Sequence, residues 1–125
     1  MIKASYDLYI KPLYGNLFSA EYEKANIWPV GSAVDGIAIL NEECEEAYEA
    51  ARKLDQYFLQ IAYPEDRGDS GAVIPTGWQM RNLEGFAVTA ICELLQVIAV
   101  CRKYGAVFEE AQEIYSTGME GEDDE

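Results

Sequence analysis

Histidine is absent from the chain, and basic residues are scarce: nine lysines and arginines stand against 23 aspartates and glutamates in 125 residues. Without histidine a zinc site would depend on cysteine. The three cysteines, Cys44, Cys92 and Cys101, have no Cys-x-x-Cys spacing, so the sequence predicts no zinc site and three free thiols in a reducing, cytoplasmic compartment. The deficit of positive charge argues against a nucleic-acid partner and against docking on an anionic membrane.

Long hydrophobic runs are also lacking. The most apolar stretch, residues 86–101, has 16 residues and contains Glu93 and Gln96, which is too short and too polar for a membrane span. The N-terminus has no signal-peptide layout. Half of the residues are nevertheless apolar, so we expect one soluble domain over residues 1–117. Residues 118–125 hold five carboxylates and are expected to form a disordered acidic tail.

Helical periodicity dominates the rest of the sequence. Apolar positions between residues 33 and 61 recur at alternating steps of four and three, which predicts one long helix. This seam comprises Ala33, Ile37, Leu40, Cys44, Ala47, Ala51, Leu54, Phe58 and Ile61. Ser32 and Asp35 are spaced as a capping box at its start. A second long helix, apolar nearly all round, is predicted over 82–104, with Gly105 as its stop.

The flanking segments are predicted to be shorter elements. Residues 1–14 suggest an extended or irregular arm, 16–27 and 106–116 short helices, and 64–77 a loop rich in proline and glycine. The expected fold class is therefore all-α: a helical bundle with two long central helices and shorter flanking helices.

Carboxylates lie at the edge of the first seam. At 100° per residue, Glu43 lies about 60° and Glu46 about 120° from the seam centre on one side, whereas Glu42, Glu45 and Glu49 fall near the solvent face. Glu93 is the only charged residue between Gly85 and Cys101. Buried carboxylates that lie close together are costly unless a cation pairs with them.

Two explanations of these carboxylates remain open from the residues alone. Glu43 and Glu46 are compatible with an ordinary solvated helix face, and Glu93 with a buried salt bridge to Arg52, Lys53 or Arg81. The alternative is a metal site. Glu43, Glu46, Glu93 and Gln96 offer an all-oxygen ligand set, which suits Mg²⁺ or Mn²⁺.

The same residues resemble the MazG-like all-α nucleoside triphosphate pyrophosphohydrolases. That family carries a Glu-Glu-x-x-Glu motif, similar to residues 42–46 (EECEE), and a later Glu-x-x-Asp motif, similar to residues 93–96 (ELLQ), where Gln96 stands in place of the Asp. The run 32–40 (SAVDGIAIL) is similar to the Ser-x-His-Glu-Gly-Tyr-Ala-x-Leu run of the phage-type subgroup, with Val34 in place of the His. Residues 93–103 (ELLQVIAVCRK) resemble that subgroup's Glu-x-x-Gln-Val-Ala-Ala run, which ends in an Arg.

The resemblance implies a metal-dependent nucleotide pyrophosphohydrolase that cleaves a (deoxy)nucleoside triphosphate to the monophosphate and pyrophosphate. It implies Mg²⁺ or Mn²⁺ as cofactor and a homodimer or homotetramer. The implied metal ligands are Glu43, Glu46, Glu93 and Gln96, and the implied catalytic residues are Glu42, Glu43, Glu46 and Glu93. The candidate substrate-binding residues are Lys53, Arg81 and Lys103 for phosphate and Trp78 for the base.

Two other functions are compatible with the sequence. One is a catalytically inactive MazG-like bundle that binds a nucleotide or a protein partner, because Gln96 is neutral where the motif has Asp. The other is an unrelated acidic helical interaction protein, for which the acidic tail is the specific support.

Overall fold

The structure, a computed structural model, describes residues 6–27, 29–65 and 71–123. A π-helical turn, Tyr6–Ile10, leads into helix α1, Lys11–Ile27. Helix α2 spans Ala33–Ala62 and helix α3 spans Gly77–Asp123. No strand occurs within these ranges, which confirms the all-α class, and α3 contacts both α1 and α2.

The start of α2 follows the predicted capping box. The Ser32 hydroxyl accepts a hydrogen bond from the Asp35 backbone N–H at 3.2 Å, and the Asp35 carboxylate accepts one from the Ser32 backbone N–H at 3.1 Å. Both bonds satisfy donors that the first helical turn leaves unpaired. The helix and its N-terminal cap are therefore confirmed.

The packed face of α2 is rotated relative to the predicted seam. Ile37 is 61% exposed, and Cys44, Ala51 and Phe58 are exposed as well. The buried or half-buried positions are Ala33, Gly36, Leu40, Glu43, Ala47, Ala50, Leu54, Tyr57, Ile61 and Ala62. Five predicted seam positions are packed, and the other four are wrong because they were chosen by apolarity alone. The packed five are Ala33, Leu40, Ala47, Leu54 and Ile61. Glycine and alanine let a neighbouring helix approach closely, so the small residues decide which side of α2 meets α3.

Helix α3 is longer than predicted at both ends. It begins at Gly77 rather than residue 82, because Thr76 and Gln79 form a second capping box: the Gln79 N–H donates to the Thr76 hydroxyl at 3.1 Å, and the Thr76 N–H donates to the Gln79 side chain at 2.9 Å. The predicted stop at Gly105 was also wrong. Glycine inside a helix costs only about 1 kcal/mol relative to alanine, and the Tyr104–Phe108 ring contact, 5.9 Å between centroids, continues across it.

The helical backbone of α3 continues through the acidic C-terminal segment to Asp123. The helix predicted over 106–116 is therefore part of α3, not a separate element. The domain boundary at residue 117 and the disordered tail over 118–125 stay predictions, and residues 124 and 125 lie outside the described part of the chain.

The N-terminal segment is helical where an extended or irregular arm was predicted. The π-helical turn and the first residues of α1 occupy positions 6–14, and residues 1–5 lie outside the described range. Pro12 is the second residue of α1. Proline is tolerated there because the backbone N–H groups of the first turn have no acceptor within the helix. The sequence prediction gave Pro12 too much weight as a breaker.

Among the described residues, α3 is the one helix that is long and apolar enough to cross a membrane. Its mean hydropathy is 1.8 in an 18-residue window, and 17% of that window is buried. The sequence prediction missed this because the helix continues past both ends of the run 86–101. A single helix of this kind is weak evidence, since core helices of soluble proteins have the same composition. The expected cytoplasmic location and lack of a membrane partner stay predictions.

Tyr104 on α3 packs against the start of α2. Its side chain is 2% exposed, and its hydroxyl accepts a hydrogen bond from the Gly31 backbone N–H at 3.0 Å. The ring lies directly on Gly36, where an added Cβ would lie 2.4 Å from Tyr104 Cδ1. Only glycine fits at position 36 without a shift of the ring or the helix.

We expect Gly36→Ala to lower the free energy of unfolding by about 1–3 kcal/mol, the usual cost of overpacking a filled core. The matched control is Gly85→Ala on α3, where an added Cβ meets nothing within 4 Å. That change should raise the free energy of unfolding by about 0.5–1 kcal/mol through helix propensity. Urea unfolding followed by circular dichroism measures both. A Gly36→Ala protein as stable as the unsubstituted chain would contradict the close contact with Tyr104.

Candidate metal centre

Helices α2 and α3 bring three carboxylates together. One oxygen from each of Glu43, Glu46 and Glu93 lies within 4.8 Å of the other two. Glu43 and Glu46 are three residues apart on α2 and so project from one side of that helix, and Glu93 meets them from α3. Oxygens that share one ion at 2.0–2.6 Å lie at most about 5 Å from one another. The spacing of the three groups therefore fits a single divalent cation.

Two oxygens of this cluster are buried without a hydrogen-bond partner in the described part of the chain: Glu43 Oε2 and Glu93 Oε2. Both residues are half-buried, whereas Glu46 is exposed. Buried polar atoms in folded proteins nearly always have partners, and an unpaired one costs free energy. A bound cation would supply the missing partner to both atoms, so the residues fit the group that the sequence predicts.

The rival explanation of Glu93, a buried salt bridge, is not found among the described residues. Arg52 pairs instead with Glu49 on its own helix, at 2.9 Å, and the other ion pair described joins Lys24 to Glu21. Neither pair includes Glu43 or Glu93. Arg52 and Lys24 therefore do not neutralise the charge of Glu43 or Glu93.

Burial and the neighbouring carboxylates raise the pKa of two members of the cluster. The pKa of Glu43 is raised above its ordinary value by burial first, and then by repulsion from Glu46, Glu93 and Glu42. The pKa of Glu93 is raised by burial, by the charge of Glu46 and a hydrogen bond with it, and by the charge of Glu21. The charge of Glu46 thus makes ionisation of both Glu43 and Glu93 harder. A cation between them would reverse the direction of these shifts.

The cluster opens onto a groove of about 450 Å³ between α2 and α3. The groove is lined by Glu42, Glu45, Glu46, Glu49, Ala50, Lys53, Thr89 and Glu93. Glu42, Glu45 and Glu49 are exposed, as the helical geometry predicts, and they form part of the lining. Glu43 lies behind this lining, in the packed stripe of α2. The groove is therefore strongly acidic, and the half-buried carboxylates Glu43 and Glu93 lie behind it and in its lining.

The predicted substrate-binding residues are not all at this groove. Among the described residues Lys53 lines it, whereas Arg81 borders a different groove beside Leu54 and Glu84. Lys103 follows Glu93 by ten residues on the same helix, about 15 Å along its axis. Trp78 is exposed in the first turn of α3. The structure brings only Lys53 to the carboxylates, and the substrate roles of all four residues stay predictions.

Gln96 makes a contact that the sequence prediction did not include. Its side-chain nitrogen donates a hydrogen bond to Glu21 Oε2 at 3.0 Å, which joins α3 to α1. Glu21 was missed as a site residue because 75 positions separate it from Gln96. One signal was present in the sequence: Glu21 follows the buried Phe18 by three residues and so lies on the packed side of α1.

When the chain is compared with known proteins, no family profile, no curated protein and no solved structure matches it. The chemistry of the site must therefore be argued from its own residues.

We expect Glu43→Gln to raise the melting temperature of the metal-free protein at pH 7 by about 2–5 °C, because it removes a half-buried, unpaired charge. A carboxyl with a raised pKa is best accommodated when protonated, so this difference should shrink as the pH falls towards 4.5, the ordinary pKa of glutamate. Thermal scans in a chelator at several pH values measure it.

The matched control for this measurement is Glu45→Gln, which removes an exposed carboxylate from the same helix and should leave the melting temperature nearly unchanged. A Glu43→Gln protein that melts below the unsubstituted chain at pH 7 would mean that Glu43 is paired in the folded state.

Proposed function

We propose that the chain is a metal-dependent nucleotide pyrophosphohydrolase that cleaves a (deoxy)nucleoside triphosphate to the monophosphate and pyrophosphate, with Mg²⁺ or Mn²⁺ held by Glu43, Glu46 and Glu93. One observation carries the proposal: three carboxylates from two helices converge to within 4.8 Å, and two of their buried oxygens have no partner among the described residues. The motif order from residue 32 to residue 103 supports assignment to the MazG-like all-α group.

The charge of the chain explains why a cation is needed. With a net charge of −14 and an acidic groove lining, the protein would repel a free triphosphate. A bound Mg²⁺ or Mn²⁺ supplies positive charge for the triphosphate and polarises a phosphoryl oxygen. Lys53 lines the same groove and adds one positive charge from the chain itself.

The groove also contains candidates for handling water. Glu42 and Glu46 are exposed at its lining, so each can accept a proton from a water molecule or hold it by hydrogen bonding. Glu43 is less suited to this task because it does not line the groove, and Glu93 because one of its oxygens is buried. We therefore assign Glu43, Glu46 and Glu93 to the cation, and the water to Glu42 or, in addition to its role as a ligand, to Glu46.

We also propose that the chain is cytoplasmic and forms a homodimer or homotetramer, and exposed apolar side chains support the self-association. Leu94 is 50% and Ile98 is 49% exposed on α3, and Val34, Ile37 and Tyr48 are exposed on α2. Contiguous apolar surface on a small domain commonly marks an interface, and these side chains lie on the two long helices. A second copy of the chain would remove it from water.

A catalytically inactive MazG-like bundle that binds a nucleotide or a protein partner is the second candidate. The observation that favours it is Gln96, which is neutral where the related motif has Asp and whose amide nitrogen is engaged by Glu21. One fewer negative ligand weakens the hold on a cation.

The deciding measurement is pyrophosphate release from a panel of ribo- and deoxyribonucleoside triphosphates with Mg²⁺. We expect turnover of at least one of them, and we expect Glu43→Gln and Glu93→Gln each to lower it about a hundredfold or more, because losing a cation ligand removes several kcal/mol of transition-state stabilisation. The control is Glu109→Gln, an exposed carboxylate on α3 outside the groove, which should leave turnover unchanged.

The outcomes separate the candidates. Absence of turnover, together with metal-dependent thermal stabilisation by a nucleotide, would support the binding protein. Absence of both would rule out a nucleotide function for this groove and leave an interaction protein.

A further inference from the structure

Gln96, whose side chain contacts Glu21, lies one helical turn from the cluster residue Glu93. Gln96 follows Glu93 by three residues on α3, so both side chains leave the helix on the same side. Its nitrogen Nε2 donates to Glu21 Oε2 at 3.0 Å in a part-buried position. The other oxygen of Glu21 lies 3.3 Å from Lys24 Nζ, and the Glu21 side chain is 16% exposed. Glu21 is thus held at both oxygens.

This hydrogen bond fixes the orientation of the Gln96 amide. An ionised carboxylate can only accept hydrogen bonds, so the amide must turn its NH₂ group towards Glu21. The oxygen Oε1 is on the other branch of the same planar group and therefore faces away from Glu21. Within the described ranges no hydrogen bond reaches Oε1. Gln96 therefore has a carbonyl oxygen with no hydrogen-bond partner among the described residues, three residues along α3 from Glu93.

The charge of Glu21 also reaches the cluster. It contributes to the raised pKa of Glu93 and to that of the neighbouring Cys92 thiol. Glu21 therefore lies near enough for its charge to act on Glu93, although it comes from a different helix and makes no hydrogen bond to Glu93 among the described residues.

We infer that Glu21 is a positioning residue for the cation: it orients and polarises Gln96 so that Gln96 Oε1 serves as the fourth, neutral oxygen ligand beside Glu43, Glu46 and Glu93. This inference rests on the proposed metal site. Carboxylates that hydrogen-bond to a metal-binding side chain fix its orientation and make its ligand atom a better donor. Gln96 itself is neutral, and the negative charge comes from Glu21 on α1, which is hydrogen-bonded to Gln96.

The test is the affinity of the full-length chain for Mn²⁺ alone, measured by isothermal titration calorimetry. Glu21→Ala should raise the dissociation constant about tenfold, the usual effect of losing such a partner. In a Gln96→Ala background the same change should raise it less than about twofold, because the ligand through which Glu21 acts is absent.

Two further variants serve as controls, one for the loss of charge and one for the loss of side-chain volume. Glu23→Ala removes the same charge from an exposed position on the same helix and should change the dissociation constant less than about twofold. Glu21→Gln keeps the size of the side chain and an acceptor for Gln96, so it should fold even where Glu21→Ala does not, and its loss of affinity should be measurable but smaller. Circular dichroism checks the fold of each variant.

Each result has one meaning. An equal loss from Glu21→Ala in both backgrounds would show that its charge acts through space, and it would overturn the role of Gln96. Affinity unchanged in Glu21→Ala, or in Glu21→Gln where that is the folded variant, would overturn the inference while the metal site stands. An unsubstituted chain that binds no Mn²⁺ would overturn the metal site and this inference together.

Discussion

The close approach of α2 and α3 is the constraint on which the rest of the structure depends. Small residues make it possible: Gly36, Ala47 and Ala50 lie in the packed stripe of α2, and Ala90 and Ala99 are buried on α3. A stripe of large side chains would hold the two helices further apart. Helices that pack at short distance exclude water between them, so a charged residue in the stripe is enclosed along with its apolar neighbours.

Glu43 is that charged residue, and Glu93 opposes it from α3. Burial raises the pKa of both carboxyls, and the charge of Glu93 adds to the raised pKa of Glu43. The metal-free fold therefore contains a local electrostatic cost that the surrounding apolar contacts must exceed. Any cation that binds the folded chain and not the unfolded one would relieve this cost, so cation binding and folding stability are linked at this site.

Several elements could be predicted from single segments because their causes are local. The capping box of Ser32 and Asp35, the helix that follows it, and the lone charge of Glu93 in an apolar run are all properties of neighbouring residues. The errors have local explanations as well. Pro12 and Gly105 were given too much weight as breakers, since proline is tolerated in a first helical turn and one glycine costs less than continued packing gains.

The sequence by itself determined that this protein is helical, acidic and provided with carboxylates at helical spacing, because these properties depend on residues a few positions apart. Only the tertiary structure decided which face of α2 is packed and that Glu43, Glu46 and Glu93 meet. It also decided that Glu21 reaches Gln96 across 75 positions of chain. Periodicity gives the direction of a side chain around its own helix, whereas the partner that it meets depends on how closely two helices approach.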